Sequence, residues 1–217
     1  MDIELARFNM IEQQIRPWEV LDPGLLGLLK KLPRELFVPP QDRDLAFADL
    51  NLPISHGECM MQPKVEARLT QALALTSTDR VLEVGTGTGY LTALLASCCA
   101  QVTSIDIHGD FLKPASARLE SLGIVNATFE EGDAAEDWAE NDGWDAIILT
   151  GSVPVPPHAH RNRLVAGGRL VAIVGQSPIM EAMLYSRNDD GESTELSLFD
   201  TSLPPLINVR TPSAFTF

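Results

Sequence analysis

Apolar residues recur along this chain in two rhythms, and the change falls near residue 78. Before it, Leu21, Leu25, Leu28, Leu29 and Leu32 stand three and four apart, the spacing that gathers side chains on one face of a helix. Asp22 is placed to cap that helix, Pro23 suits its first turn and Pro33 ends it. Residues 37–53 carry several prolines and no clean period, which predicts an extended, packed loop. A second helix is expected from Gln62 to Leu75, with Pro63 in its first turn and Val65, Leu69 and Leu73 facing inward.

From Arg80 onward, short apolar runs alternate with helical stretches. Val81–Val84, Val102–Ile105, Ala127–Phe129, Ala146–Leu149 and Leu170–Val174 read as strands. Helices are expected from Tyr90 to Ser97 and from Asp110 to Leu122. Strands separated by helices in this order predict an α/β fold, a parallel sheet with helices on its faces. After Gln176, Met180–Ser186 and Glu195–Thr201 read as two strands joined by the turn Asn188-Asp189-Asp190-Gly191, an antiparallel edge to the sheet. The chain thus divides into a helical and loop segment, 1–78, and an α/β unit, 79–217, packed as one body.

Composition narrows the function. The chain has 217 residues, 45% of them hydrophobic and 21% charged, enough for one well-formed core. No run approaches the roughly 20 apolar residues that cross a bilayer, and the N-terminus lacks the basic and apolar regions of a secretory signal. The three cysteines, Cys59, Cys98 and Cys99, do not form a disulfide framework, and the four histidines give no metal-ligand spacing. These features predict a cytoplasmic protein without a metal or a membrane partner. A formal net charge of −14 opposes nucleic-acid binding, with Arg161 and Arg163 the only hint of a basic patch. Neither monomer nor homodimer is favoured.

The chemistry concentrates at Glu83-Val84-Gly85-Thr86-Gly87-Thr88-Gly89-Tyr90. Glycines at alternate positions between a strand and a helix let the backbone approach a ligand closely. The dinucleotide fingerprint is not met, because its last glycine would fall at Tyr90. Asp106 ends the next strand, about twenty positions on, where an acid accepts hydrogen bonds from both ribose hydroxyls. Asp133, just past the third strand, is placed to meet an adenine edge. All three lie at carboxyl ends of strands, where open α/β sheets bind ligands.

This series resembles the motifs of class I S-adenosylmethionine-dependent methyltransferases. More narrowly, the chain resembles the protein-L-isoaspartate O-methyltransferase family through Met10–Arg16, Pro33–Pro39, Leu52–Gly57, Trp144–Gly151 and Leu164–Leu170. The resemblance implies a Rossmann-like, mostly parallel seven-stranded sheet with one antiparallel strand, helices on both faces and an N-terminal helical extension. It implies S-adenosylmethionine as cofactor, S-adenosylhomocysteine as product, and a protein or peptide with an L-isoaspartyl residue as substrate, in protein repair. Glu83, Gly85, Thr86, Gly87, Gly89, Asp106, Ile107, Asp133 and Ala134 would hold the cofactor. The loop from Ile54 to Met61 would meet the acceptor, with His56 either orienting a carboxylate or bracing the turn.

The acceptor loop departs from the family. After His-Gly the family usually reads Gln-Thr-Ile-Ser, a further residue and Pro, the serine hydroxyl being tied to activity. Here the segment is Glu58-Cys59-Met60-Met61-Gln62-Pro63, with Met61 at the serine position. A thioether cannot donate a hydrogen bond. A different methyl acceptor, or a non-catalytic cofactor-binding module, are the alternative readings; Met60 and Met61 either wall the acceptor or simply pack the loop. Glu58 would keep Cys59 a thiol. Ser152 and Pro154–Pro157 are expected to line the substrate cleft, and Cys98-Cys99 to pack in the core.

Overall fold

The computed structural model describes residues 2–138 and 143–210. Helix α1 (Ile3–Asn9) runs into a wider π-helical stretch, Met10–Ile15, and a single tight turn, Arg16–Trp18. Helix α2 spans Pro23–Lys31, with the Asp22 carboxylate accepting the Leu25 N–H at 2.6 Å. Its buried face is Leu25, Leu26 and Leu29, whereas Leu21 precedes the cap and is exposed. Within the expected extended loop, Pro40–Leu45 instead winds into a 3₁₀ helix, for which Pro40 presets the first turn. Helix α3 (Pro63–Leu73) stops earlier than its apolar spacing predicts because Ala74 takes a left-handed conformation, φ +45°. Val65, Leu69 and Leu73 are buried as expected.

Two short strands, β1 (Leu52–Pro53) and β2 (Cys59–Met60), pair antiparallel around the His56-Gly57 turn. The main sheet follows: β3 (Arg80–Val84), α4 (Tyr90–Ala96), β4 (Gln101–Asp106), α5 (Gly109–Ser121), β5 (Ala127–Glu131), β6 (Trp144–Val153), α6 (His158–Asn162), β7 (Leu164–Gln176), β8 (Ile179–Arg187) and β9 (Ser193–Asp200). Its order is β5-β4-β3-β6-β7-β8-β9. Strands β3 to β7 are mutually parallel, and β8 alone opposes both its neighbours. The β8–β9 turn closes where expected, with Asn188 accepting the Gly191 and Glu192 N–H groups.

Both sheet faces are buried, which is why the central strands read as continuous apolar runs. Val81, Ala146, Ile148, Val171 and Ile173 face one core, shared with Met10, Ile15, Leu29 and Leu69 of the N-terminal segment. Leu82, Val84, Ile147, Leu149, Leu170 and Ala172 face the other, covered by Trp144, Leu164 and Trp138. Strand β3 leads to β4 on one side and neighbours β6 on the other, so the order reverses at its carboxyl end. That is the topological switch point at which such sheets bind ligands.

Candidate active site

A cleft opens at that switch point. Gly85, Thr86 and Gly87 form its floor after β3; Asp106, Ile107 and His108 follow β4; Gly132, Asp133 and Ala134 follow β5.

The glycines differ in task. Gly85 has φ +101°, and a Cβ there would sit 1.9 Å from Thr150 Oγ1. Thr150 is fixed in turn, sharing its hydroxyl proton between the Val84 and Gly85 carbonyls. Gly87 donates its N–H to Asp106 Oδ2 at 2.8 Å. Gly89 does not line the cleft; it starts α4 with φ +85°, and a Cβ would lie 2.8 Å from that of Ala115 on α5. Gly85→Ala is expected to weaken cofactor binding roughly tenfold or more, since left-handed strain alone costs about 1–3 kcal/mol. Calorimetric titration beside a thermal melt checks this.

Asp106 is almost fully buried. Its Oδ2 holds the Gly87 N–H and its Oδ1 the His108 N–H at 2.9 Å. A carboxylate has about four lone-pair sites, so about one on each oxygen stays free for a pair of hydroxyls. The bare backbone at Gly85 and this donor-accepting edge are the features an adenosyl ligand needs. Asp133 lines the cleft but is exposed, its oxygens accepting from Ala135 N–H and the Asn208 amide.

Glu83 lies behind the cleft, not in it, which corrects its expected place among cofactor contacts. Alternation along β3 turns it to the face of Val81, against α4. Its Oε2 accepts from Thr92 at 2.5 Å and Ser104 at 2.6 Å, and Thr86 Oγ1 lies 2.6 Å from Ser104 Oγ. Burial pushes this carboxyl up to about 8, despite the two hydroxyl bonds that oppose the shift. Glu83 therefore braces the glycine turn from below as a neutral acid.

The opposite wall comes from Ile54, Glu58, Cys59, Met60, Met61 and Glu66, with Leu203–Ile207 closing the side. Met61 is buried and faces the cleft, and its carbonyl accepts from Arg34 at 2.7 Å. No local pattern around Arg34 marks it as an organiser of this wall. Its side chain, 1% exposed, also donates to the Ala46 carbonyl and to Glu66, and lies 4.6 Å over the Tyr90 ring. Burial pushes the Cys59 thiol up to about 11, with Glu58 and Glu66 adding to the shift, so it stays protonated.

His56 stands outside the cleft. Its Nε2 meets the Asp110 carboxylate at 2.9 Å and its ring stacks on His108 at 3.9 Å. His108 and Phe111 line the cleft instead. Ser152 and the following prolines do not line it either. Ser152 Oγ donates to the Leu203 carbonyl and its backbone pairs with Pro204 and Leu206, holding the 203–207 wall in place. Arg161 and Arg163 pair with Glu195 and Asp137 and form no basic patch. The cysteines are free thiols, with Cys99 in the core. Among the described residues no helix is long and apolar enough to cross a membrane, and no group of His, Cys, Asp and Glu is arranged to hold a metal.

The profile of the protein-L-isoaspartate(D-aspartate) O-methyltransferase family matches residues 7–208. The chain is 40% identical over 196 residues to protein-L-isoaspartate O-methyltransferase 2 of Pelobacter propionicus, covering 89% of this chain and 87% of that one. It is 40% identical over 204 residues to protein-L-isoaspartate O-methyltransferase 1 of Rhodopseudomonas palustris, covering 94% and 80%. Among solved structures, a protein-L-isoaspartate O-methyltransferase superposes with a TM-score of 0.75 at 24% identity, covering 92% of this chain and 65% of that chain. A Plasmodium falciparum protein of the same description, in complex with S-adenosyl-L-homocysteine, superposes with a TM-score of 0.74 at 18% identity, covering 95% and 98%. These two likenesses concern the fold: a mostly parallel seven-stranded sheet with one antiparallel strand.

Proposed function

This chain belongs to the protein-L-isoaspartate(D-aspartate) O-methyltransferase family, and from that premise we infer that it transfers a methyl group from S-adenosylmethionine to the carboxylate of L-isoaspartyl residues in proteins. The observation that supports the reading best is the pairing of walls across one cleft. The glycine turn and Asp106 stand on one side, and the loop from Ile54 to Met61 on the other.

When bound, S-adenosylmethionine supplies an electrophilic methyl group on a positively charged sulfur. Asp106 would accept the ribose hydroxyls, Gly85, Thr86 and Gly87 would let the backbone approach, and Ile107, Asp133 and Ala134 would border the adenine. An acceptor carboxylate is already ionised at neutral pH, so no general base is required. The protein's task is alignment and exclusion of water. Ile54, Met60, Met61 and Leu206 present the apolar surface that does the second. Cys59, held as a thiol, does not compete as a nucleophile.

The test is calorimetric titration with S-adenosylmethionine, followed by radiolabelled methyl transfer to an isoaspartyl peptide and to its normal aspartyl counterpart. Binding with base-labile label on the isoaspartyl peptide alone is expected. Binding without transfer would replace this reading by one with another acceptor or none.

A further inference from the structure

A carboxylate acceptor meets an unusual wall in this cleft. Glu58, Glu66, Asp106 and Asp133 line it, and among the described residues no lysine or arginine does. Met61, at the serine position of the family, offers no donor, and Met60 and Ile54 are apolar. Entry of an anion therefore calls for a neutral hydrogen-bond donor on the acceptor side.

Glu66 is the residue built for it. It sits in the first turn of α3, is 2% exposed and lines the cleft beside Met61. Its Oε2 takes the Arg34 hydrogen bond, while Oε1 has no partner among the described residues. Arg34 cannot follow the carboxyl elsewhere, being tied to the Ala46 and Met61 carbonyls and packed on Tyr90. Resting on the isoaspartyl reading above, we propose that Glu66 orients the acceptor: Oε1, carrying a proton, donates a hydrogen bond to the isoaspartyl carboxylate where Met61 cannot.

The surroundings keep a proton available. Burial raises the Glu66 carboxyl to about 7, with Arg34 pulling the other way. Tyr90 on α4 and Cys59 on β2 are held neutral by burial, and Glu83 on β3 is raised to about 8. Glu58, Asp106, His108 and Asp133 are the other ionisable groups lining the space among the described residues, and they are common to every variant compared below.

The experiment is kcat/KM for an isoaspartyl peptide across roughly pH 6 to 8.5. The unaltered protein is expected to lose activity about tenfold per unit above pH 7, as Glu66 loses its proton. Glu66→Gln, whose amide donates without titrating, is expected to keep activity within about tenfold at pH 7 and to lose that descending limb. Glu66→Ala is expected to fall about a hundredfold, and adding Met61→Ser to it to restore about tenfold. A purely structural Glu66 would leave the limb in Glu66→Gln, and that result overturns the proposal. If Glu66 variants fail to bind S-adenosylmethionine, Met61→Ser alone decides: a flattened limb supports the proposal and an unchanged one overturns it. Absence of transfer by the unaltered protein at every pH is a separate result, which removes the isoaspartyl reading itself.

Discussion

Replacing Asp106 by Ala is expected to weaken binding of S-adenosylmethionine by about 10²- to 10³-fold. A hydrogen bond to an ionised group contributes about 1.5–3 kcal/mol, and Asp106 has a free lone pair on each oxygen for the two ribose hydroxyls. The same carboxylate holds the Gly87 and His108 N–H groups, so its loss also frees both sides of the glycine turn. Asp106→Asn is the sharper control. One oxygen becomes an NH₂, which would face a backbone N–H, so the amide cannot satisfy both backbone partners and both hydroxyls. It should lose more than about tenfold while the fold is kept. Calorimetry at fixed temperature measures both; a loss under about threefold for Asp106→Ala would remove this residue from the cofactor site.

How far this site is legible in the sequence depends on which residues carry a local signal. Gly85, Gly87 and Asp106 announce themselves because a backbone turn and a strand end each demand a residue type at a fixed place. Strands β6 and β7 are legible because both faces are buried, leaving the unbroken apolar runs Ala146–Leu149 and Leu170–Val174. The 3₁₀ helix Pro40–Leu45 is hidden, since a single short turn has no period. The wall at Leu203–Ile207 is hidden too, because only its tertiary bond to Ser152 brings it to the cleft. Glu66 did leave a trace that periodicity offers: it precedes Leu69 and Leu73 by three and seven positions, an acid on an inward stripe. Glu83 carries the opposite lesson, since its motif position is informative but strand alternation turns its side chain away from the ligand.

At pH 8, where Glu66 is mostly ionised beside the guanidinium, Arg34→Ala is expected to cost about 3–5 kcal/mol, the usual penalty for leaving one member of a buried ion pair alone. For a chain of this length that lowers Tm by roughly 2–4 °C per kcal/mol, so a fall of about 6–20 °C is expected in a thermal scan. The deficit should depend on pH, with a definite sign. Without Arg34 the Glu66 carboxyl rises further from its ordinary value near 4.5, beyond the value near 7 it has beside the guanidinium. A raised acid binds more protons folded than unfolded, so its stability is fully present below the unfolded value and lost as pH climbs through the folded one. The variant should therefore lie closer to the unaltered protein at pH 5 than at pH 8, and a constant or reversed gap would count against a lone buried Glu66. Replacing both partners, as Arg34→Met with Glu66→Leu, should recover much of the stability, because apolar substitutes of similar volume leave no uncompensated charge. It should not recover methyl transfer, since that double variant removes the donor at the acceptor wall along with the pair. Stability and turnover would then separate at one site, which distinguishes a pair retained for the fold from one retained for the substrate.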